Sequence, residues 1–199
     1  MLSVRSFVGA AAGLFALGLT AQADTIATFA DPSPSGDLPV FTFSSEGSTG
    51  SLSGGWSTNG LTLETPGLAI ADVPNAHFSM PAVAGTLSAG NTWDLGAGIV
   101  TFMDNADNVL FTITFDSAVL TSPSQFGGSD FASDNVTISG PAVTVPLTNE
   151  AFAFSFANPE GTLENYTVTS AFTSSADVVP EPGSLALLGL GIAALIRRR

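Results

Sequence analysis

Between the two ends of this chain the apolar residues come in short runs that alternate with polar ones, and this period of two constrains the fold more than any other feature. The run Phe111-Thr112-Ile113-Thr114-Phe115 sets Val109, Phe111, Ile113 and Phe115 on one face and Leu110, Thr112, Thr114 and Asp116 on the other. Residues 41–44, 61–64, 136–139 and 143–145 repeat the pattern. Phe152, Phe154 and Phe156 share a face, and so do Tyr166, Val168 and Phe172, with Thr167, Thr169 and Thr173 opposite. Side chains point to alternate sides of a strand, so the pattern predicts half-buried antiparallel strands. Gly, Pro, Asn, Asp and Ser cluster between the runs, at 31–36, 59–60 and 127–130, and supply turns. No window between the ends has a helical period. The expected architecture is one all-β domain, an antiparallel β-sandwich or jelly roll of roughly nine to twelve strands. Its clearest unit is a hairpin of residues 99–103 and 109–115, which would bring Phe102 and Phe111 to the same core. Trp56 and Trp93 border turn-rich sequence and are expected to anchor the core, because each ring would otherwise expose a large apolar area.

Charge is distributed with equal regularity. There are 4 basic residues, Arg5, Arg197, Arg198 and Arg199, and none lies in the middle of the chain. All 17 acidic residues fall between Asp24 and Glu181, so without the four arginines the whole-chain charge of −13 becomes −17. A chain with no cation to set against phosphate is not a nucleic-acid binder, and no phosphate-cradling glycine loop precedes a helix. The acids must be satisfied by backbone donors, hydroxyls, water or bound cations. There is no cysteine, so an exported domain free to use disulfides does without them. Its length suits a single hydrophobic core.

The two ends read as processing signals. Arg5 precedes an apolar run from Phe7 to Leu19, and Ala21-Gln22-Ala23 puts small residues where a signal peptidase reads them. The chain therefore divides into a signal peptide (1–23), an extracellular β domain (24–173), a linker (174–182) and an apolar segment with a basic tail (183–199). The linker holds polar Ser174-Ser175-Ala176-Asp177 and then Val179-Pro180-Glu181-Pro182, whose prolines block a helix from running backwards. Gly183 to Ile196 is apolar apart from Ser184 and ends on Arg197-Arg198-Arg199. As a helix it covers only about 21 Å of a hydrocarbon core about 30 Å thick, which suits transient insertion with the arginines held inside. A plain C-terminal anchor on a proline-stiffened stalk is the alternative.

Val179-Pro180-Glu181-Pro182, the Gly-rich apolar stretch and the basic end together resemble a PEP-CTERM sorting signal. The resemblance covers the last twenty residues or so. It implies an exported protein of Gram-negative, exopolysaccharide-producing bacteria, held briefly in the inner membrane. It also implies recognition by exosortase, a membrane-embedded transpeptidase-like enzyme taken to cut near the Pro-Glu-Pro motif.

Within the domain, chemistry-bearing clusters are sparse. His77 is the single histidine, too few for a catalytic triad or for a zinc site of the usual ligands. Glu46, Glu64, Glu150, Glu160 and Glu164 are the carboxylates from which a glycosidase pair would be drawn, but nothing in the sequence selects two. Asp104, Asn105, Asp107 and Asn108 concentrate oxygen ligands in one loop, a weak calcium candidate without EF-hand spacing. The same residues are turn formers, and a solvated turn is the simpler reading. Asn135-Val136-Thr137 and Asn165-Tyr166-Thr167 match a glycosylation pattern. The expected function is non-enzymatic, structural or adhesive, at the cell surface or in a biofilm or exopolysaccharide matrix. The alternatives are a carbohydrate-binding module, which needs Trp56, Trp93 or Tyr166 exposed, and a secreted glycoside-active hydrolase. Self-repulsion among the acids predicts that about 10 mM calcium or about 0.5 M salt raises the melting temperature; a flat thermal-melt response to both would refute it.

Overall fold

The computed structural model describes residues 23–30, 40–123 and 129–179. Its strands are β1 (Asp24–Phe29), β2 (Phe41–Glu46), β3 (Thr49–Trp56), β4 (Thr62–Leu63), β5 (Val73–Pro74), β6 (His77–Ala89), β7 (Thr92–Leu95), β8 (Gly98–Met103), β9 (Val109–Phe115), β10 (Ala118–Thr121), β11 (Ser129–Ser133), β12 (Val136–Ser139), β13 (Leu147–Gly161) and β14 (Asn165–Val178). No helix occurs among the described residues. Every strand pairing is antiparallel, as the alternation predicts.

Eight strands are neighbours in the order β6-β3-β2-β14-β13-β11-β10-β7, and β7 returns to β6, so that they close a barrel. This differs from the expected sandwich or jelly roll. Both architectures bury alternate residues, and the difference lies in two long strands that each serve two neighbours on one side. Gly85 to Ala89 of β6 pair with β7, whereas His77 to Ser79 pair with β8. Asn165 to Val168 of β14 pair with β2, whereas Phe172 to Ala176 pair with β1. Strands β8, β9 and β12 extend from β6 outside the ring, and β1 extends from β14.

The core is phenylalanine. Every phenylalanine among the described residues is buried. Phe154 is central: its ring lies 4.9 Å from that of Phe41, 4.8 Å from Phe172, 5.8 Å from Phe131 and 5.9 Å from Phe78, with Phe29 and Phe152 also in contact. A small barrel has room inside for side chains and little else, and these rings fill it. Close packing of rings on strands requires missing side chains opposite: a Cβ at Gly54 would collide with the Phe41 ring, and one at Gly98 with the Phe115 ring.

The hairpin expected at 99–115 forms as β8 and β9, with Phe102 opposite Phe111 and their rings stacked at 4.6 Å. A register shift between Phe102 and Met103 leaves Val109 at the hairpin mouth, 43% exposed, rather than on the core face with Phe111. Two further expectations are corrected. Residues 143–145 are not a strand; Pro141 and Pro146 flank them and cannot donate to a ladder. Ser174-Ser175-Ala176-Asp177, read as linker, is the end of β14, paired on one side with β13 and on the other with β1. Ser174 is buried there because its hydroxyl bonds the backbone of Ala27, accepting from the N–H and donating to the carbonyl, each at 3.2 Å.

Two sheet edges are closed without lysine. β4 lies against the free side of β1, where Thr28 and Glu64 exchange backbone bonds of 2.9 and 2.8 Å and Gly67 N–H donates to Ile26 O. On β12 the outward N–H of Ile138 donates to Glu150 Oε2 of β13 at 3.0 Å. Such covers remove templates for pairing with another chain. Truncating Phe154 to Ala should destabilise the domain by about 3–5 kcal/mol, a large share of the roughly 5–15 kcal/mol that holds a domain folded. Denaturant titration of the variant beside the wild type measures it.

Candidate functional site

Asp104-Asn105-Ala106-Asp107-Asn108 forms the tip of the β8–β9 hairpin. The Asp104 carboxylate is turned into its own loop: Oδ1 accepts from the N–H groups of Ala106 (2.8 Å) and Asn108 (2.9 Å), and Oδ2 from the Asn108 side-chain amide (2.9 Å). Those bonds, the Asn108 side chain first, hold Asp104 below the usual carboxylate range. Asp107 takes a left-handed backbone (φ 62°), which Asp tolerates in turns. Its Oδ1 lies 3.1 Å from Nδ1 of His77 at the start of β6. Asp104 is therefore bonded within its own loop and Asp107 to the domain's single histidine. No group of three or more His, Asp or Glu placed to hold a metal occurs among the described residues.

The carboxylates do not converge either. Glu46 sits at the β2–β3 turn and Glu64 beside β1. Glu150 caps β12, Glu160 ends β13, and Glu164 occupies the β13–β14 turn. Of the aromatics a sugar platform would need, Trp56 is 4% exposed, Trp93 5% and Tyr166 3%. Asn135 and Asn165, the two glycosylation-pattern asparagines, are exposed, and Asn165 Oδ1 accepts from the Ser44 hydroxyl at 2.6 Å.

At the β13–β14 turn a cleft of about 320 Å³ is lined by Pro123, Pro159, Glu160, Gly161, Thr162, Leu163 and Tyr166. Among its described lining residues the one buried polar side chain is Tyr166, whose hydroxyl is bonded to Ser122 Oγ at 3.0 Å. Burial pushes the Tyr166 hydroxyl up to about 12, against a smaller opposing effect of the Ser122 bond. The folded value is raised, so the contribution is complete below the unfolded value near 10 and is lost as pH rises through about 12. The chain has 1 tyrosine, so ultraviolet titration reads this group alone. The expected midpoint is near 12, falling to the ordinary value in denaturant; a folded-state midpoint at the ordinary value would refute its burial.

The remaining candidate residues concern the chain ends. Ala23 and Val179 are described and exposed; Ala21, Pro180, Glu181, Pro182, Arg197, Arg198 and Arg199 lie outside the described residues. Asp24 pairs with Ala176 across β1 and β14, so both ends of the domain leave from one rim. Val179 N–H donates to Pro146 O at 3.0 Å, which fixes the chain one residue before Pro180. No signal in the sequence marked this arrangement, because it depends on the pairing of strands almost the whole domain apart.

No curated protein and no solved structure matches the chain. One family description does: the PEP-CTERM protein-sorting motif, over residues 178–199. The match begins at the last residue of β14, so the folded domain and the sorting signal adjoin without an intervening segment. The chain carries a PEP-CTERM protein-sorting motif, the mark of a bacterial protein that exosortase processes and that is secreted or held at the cell surface.

Proposed function

We propose that this protein is a non-enzymatic structural or adhesive component of the bacterial cell surface or exopolysaccharide matrix, inserted briefly in the inner membrane of a Gram-negative cell through residues 183–199 and released from it by exosortase. The observation that carries this reading is the junction itself. The sorting motif follows directly on β14, a strand held on both sides, so the domain is built to be delivered as a finished body. Its other features agree: an interior filled by phenyl rings rather than shaped for a ligand, and carboxylates spread over separate turns and edges.

A carbohydrate-binding module is less well supported, since Trp56, Trp93 and Tyr166 all point inward. A glycoside-active hydrolase would need two carboxylates facing one cleft, and the cleft beside Tyr166 has only Glu160. Any grip on polysaccharide would rest on the Thr- and Ser-rich outer strand faces, and any calcium dependence on the collective charge rather than on the Asp104 loop.

The intact mass of the protein recovered from the medium and surface of producing cells tests the reading. The expected mass is that of a chain from Asp24 to near Pro180, plus any attached sugar. A mass that still includes Gly183 to Arg199, recovered from membranes, would make the tail a permanent anchor and remove the exosortase step.

A further inference from the structure

The rim from which both ends leave carries a surface unlike the rest of this acidic domain. A groove of about 310 Å³ is lined by Pro66, Leu68, Ala69, Val143, Val145 and Val178, among other apolar or uncharged residues, with no carboxylate in its lining. Val178 and Val179 at its edge are each 39% exposed. Asp177, the acid next to it, is turned aside, its Oδ2 accepting from Asn149 Nδ2 at 2.7 Å. In a chain whose 17 acids all lie between Asp24 and Glu181 with no Lys or Arg among them, an uncharged groove at the exit of the tail is a distinct face.

Chain length says what meets it. Val179 is pinned to Pro146 O, and the apolar stretch begins at Gly183. The four residues 179–182 span at most about 14 Å when extended. The polar layer over the hydrocarbon core is roughly 5–7 Å thick on each side. With residues 183–196 inserted, the groove edge therefore stands within about one layer of side chains of the lipid head groups. The other end of the chain agrees, because Asp24, which follows the apolar leader, pairs with Ala176 on the same rim.

We propose that this groove is a membrane-facing surface: while the tail is inserted, the domain stands on the outer interface of the bilayer with Leu68, Ala69, Val143, Val145, Val178 and Val179 against the lipid. The proposal rests on the sorting tail being membrane-inserted. Asp24 and Glu181 flank this rim, but the groove lining itself holds no carboxylate to repel an anionic surface.

Because the chain has no cysteine, single labels can be placed at will in the full chain. Ala69→Cys and Thr144→Cys sit at exposed groove positions. Leu163→Cys, 60% exposed, sits at the far end of β14, roughly 45 Å away at about 3.3 Å per residue. Ala193→Cys reports on the tail. Each carries a fluorophore, in vesicles of phosphatidylethanolamine and phosphatidylglycerol containing nitroxide-labelled lipid. The expected result is quenching at 69 and 144 at least about threefold stronger than at 163, together with quenching at 193, as for an apolar face seated in the head-group boundary. Quenching at 193 with 69 and 144 no different from 163 overturns the membrane face and leaves the tail insertion standing. No quenching at 193 overturns both. Protection of 69 and 144 that appears only when exosortase is reconstituted alongside makes the groove an enzyme-docking surface and overturns the lipid assignment.

Discussion

The ring of Phe154 touches six other phenyl rings, contributed by β1, β2, β6, β11 and β14 as well as by its own strand. Each such pair adds about 0.5–1.5 kcal/mol beyond the area it buries. The exported part of the chain has no disulfide and no Lys or Arg for an ion pair, and the one contact of a carboxylate with a basic side chain among the described residues is that of Asp107 with His77. Apolar burial must therefore outweigh both chain entropy and the mutual repulsion of the carboxylates. The aromatic cluster binds the barrel to the strands added outside it, since Phe29 of β1 and Phe102 of β8 stack on Phe78 of β6.

The strand pairings constrain how the domain can be completed. Strand β14 lies between β13 and both β2 and β1, and its contacts with β1 join residues as far apart as Ala27 and Ser174. Pairings of such long sequence separation are slow to form, and the barrel has no closed form without its last strand. The polypeptide must reach Val178, two residues before the Pro-Glu-Pro motif, for the sheet to be complete. The edges exposed in the interim are the sides of β13, β2 and β1 that β14 later joins.

Much of this was legible in the sequence, and the exceptions have specific causes. Alternation over 109–115 fixed the β8–β9 hairpin and its facing phenylalanines, because both strands and their turn are local. Alternation at 143–145 misled, because period two describes side-chain direction and not whether a backbone partner exists; Pro141 and Pro146 deny one. The composition of 174–177 suggested a linker, yet small polar residues suit a strand crowded by two neighbours, and Ser174 is buried through its bonds to Ala27. Closure into a barrel also depends on β14 pairing with β2, Asn165 to Val168 against Phe41 to Ser44, a long-range fact that no window contains. The sorting signal was readable for the opposite reason: its chemistry is linear. The hydrogen bonds of the Asp104 loop were not legible, because they depend on which way each side chain turns.

The position of β14 has a mechanical consequence. Ladder hydrogen bonds in an antiparallel sheet run perpendicular to the strands. A pull applied through the C-terminal end would act along the axis of β14, which is bonded to β13 on one side and to β1 and β2 on the other. Such a load is shared by both ladders at once, in shear, instead of opening them one bond at a time. A domain held by this end would resist extraction better than one attached through an edge strand.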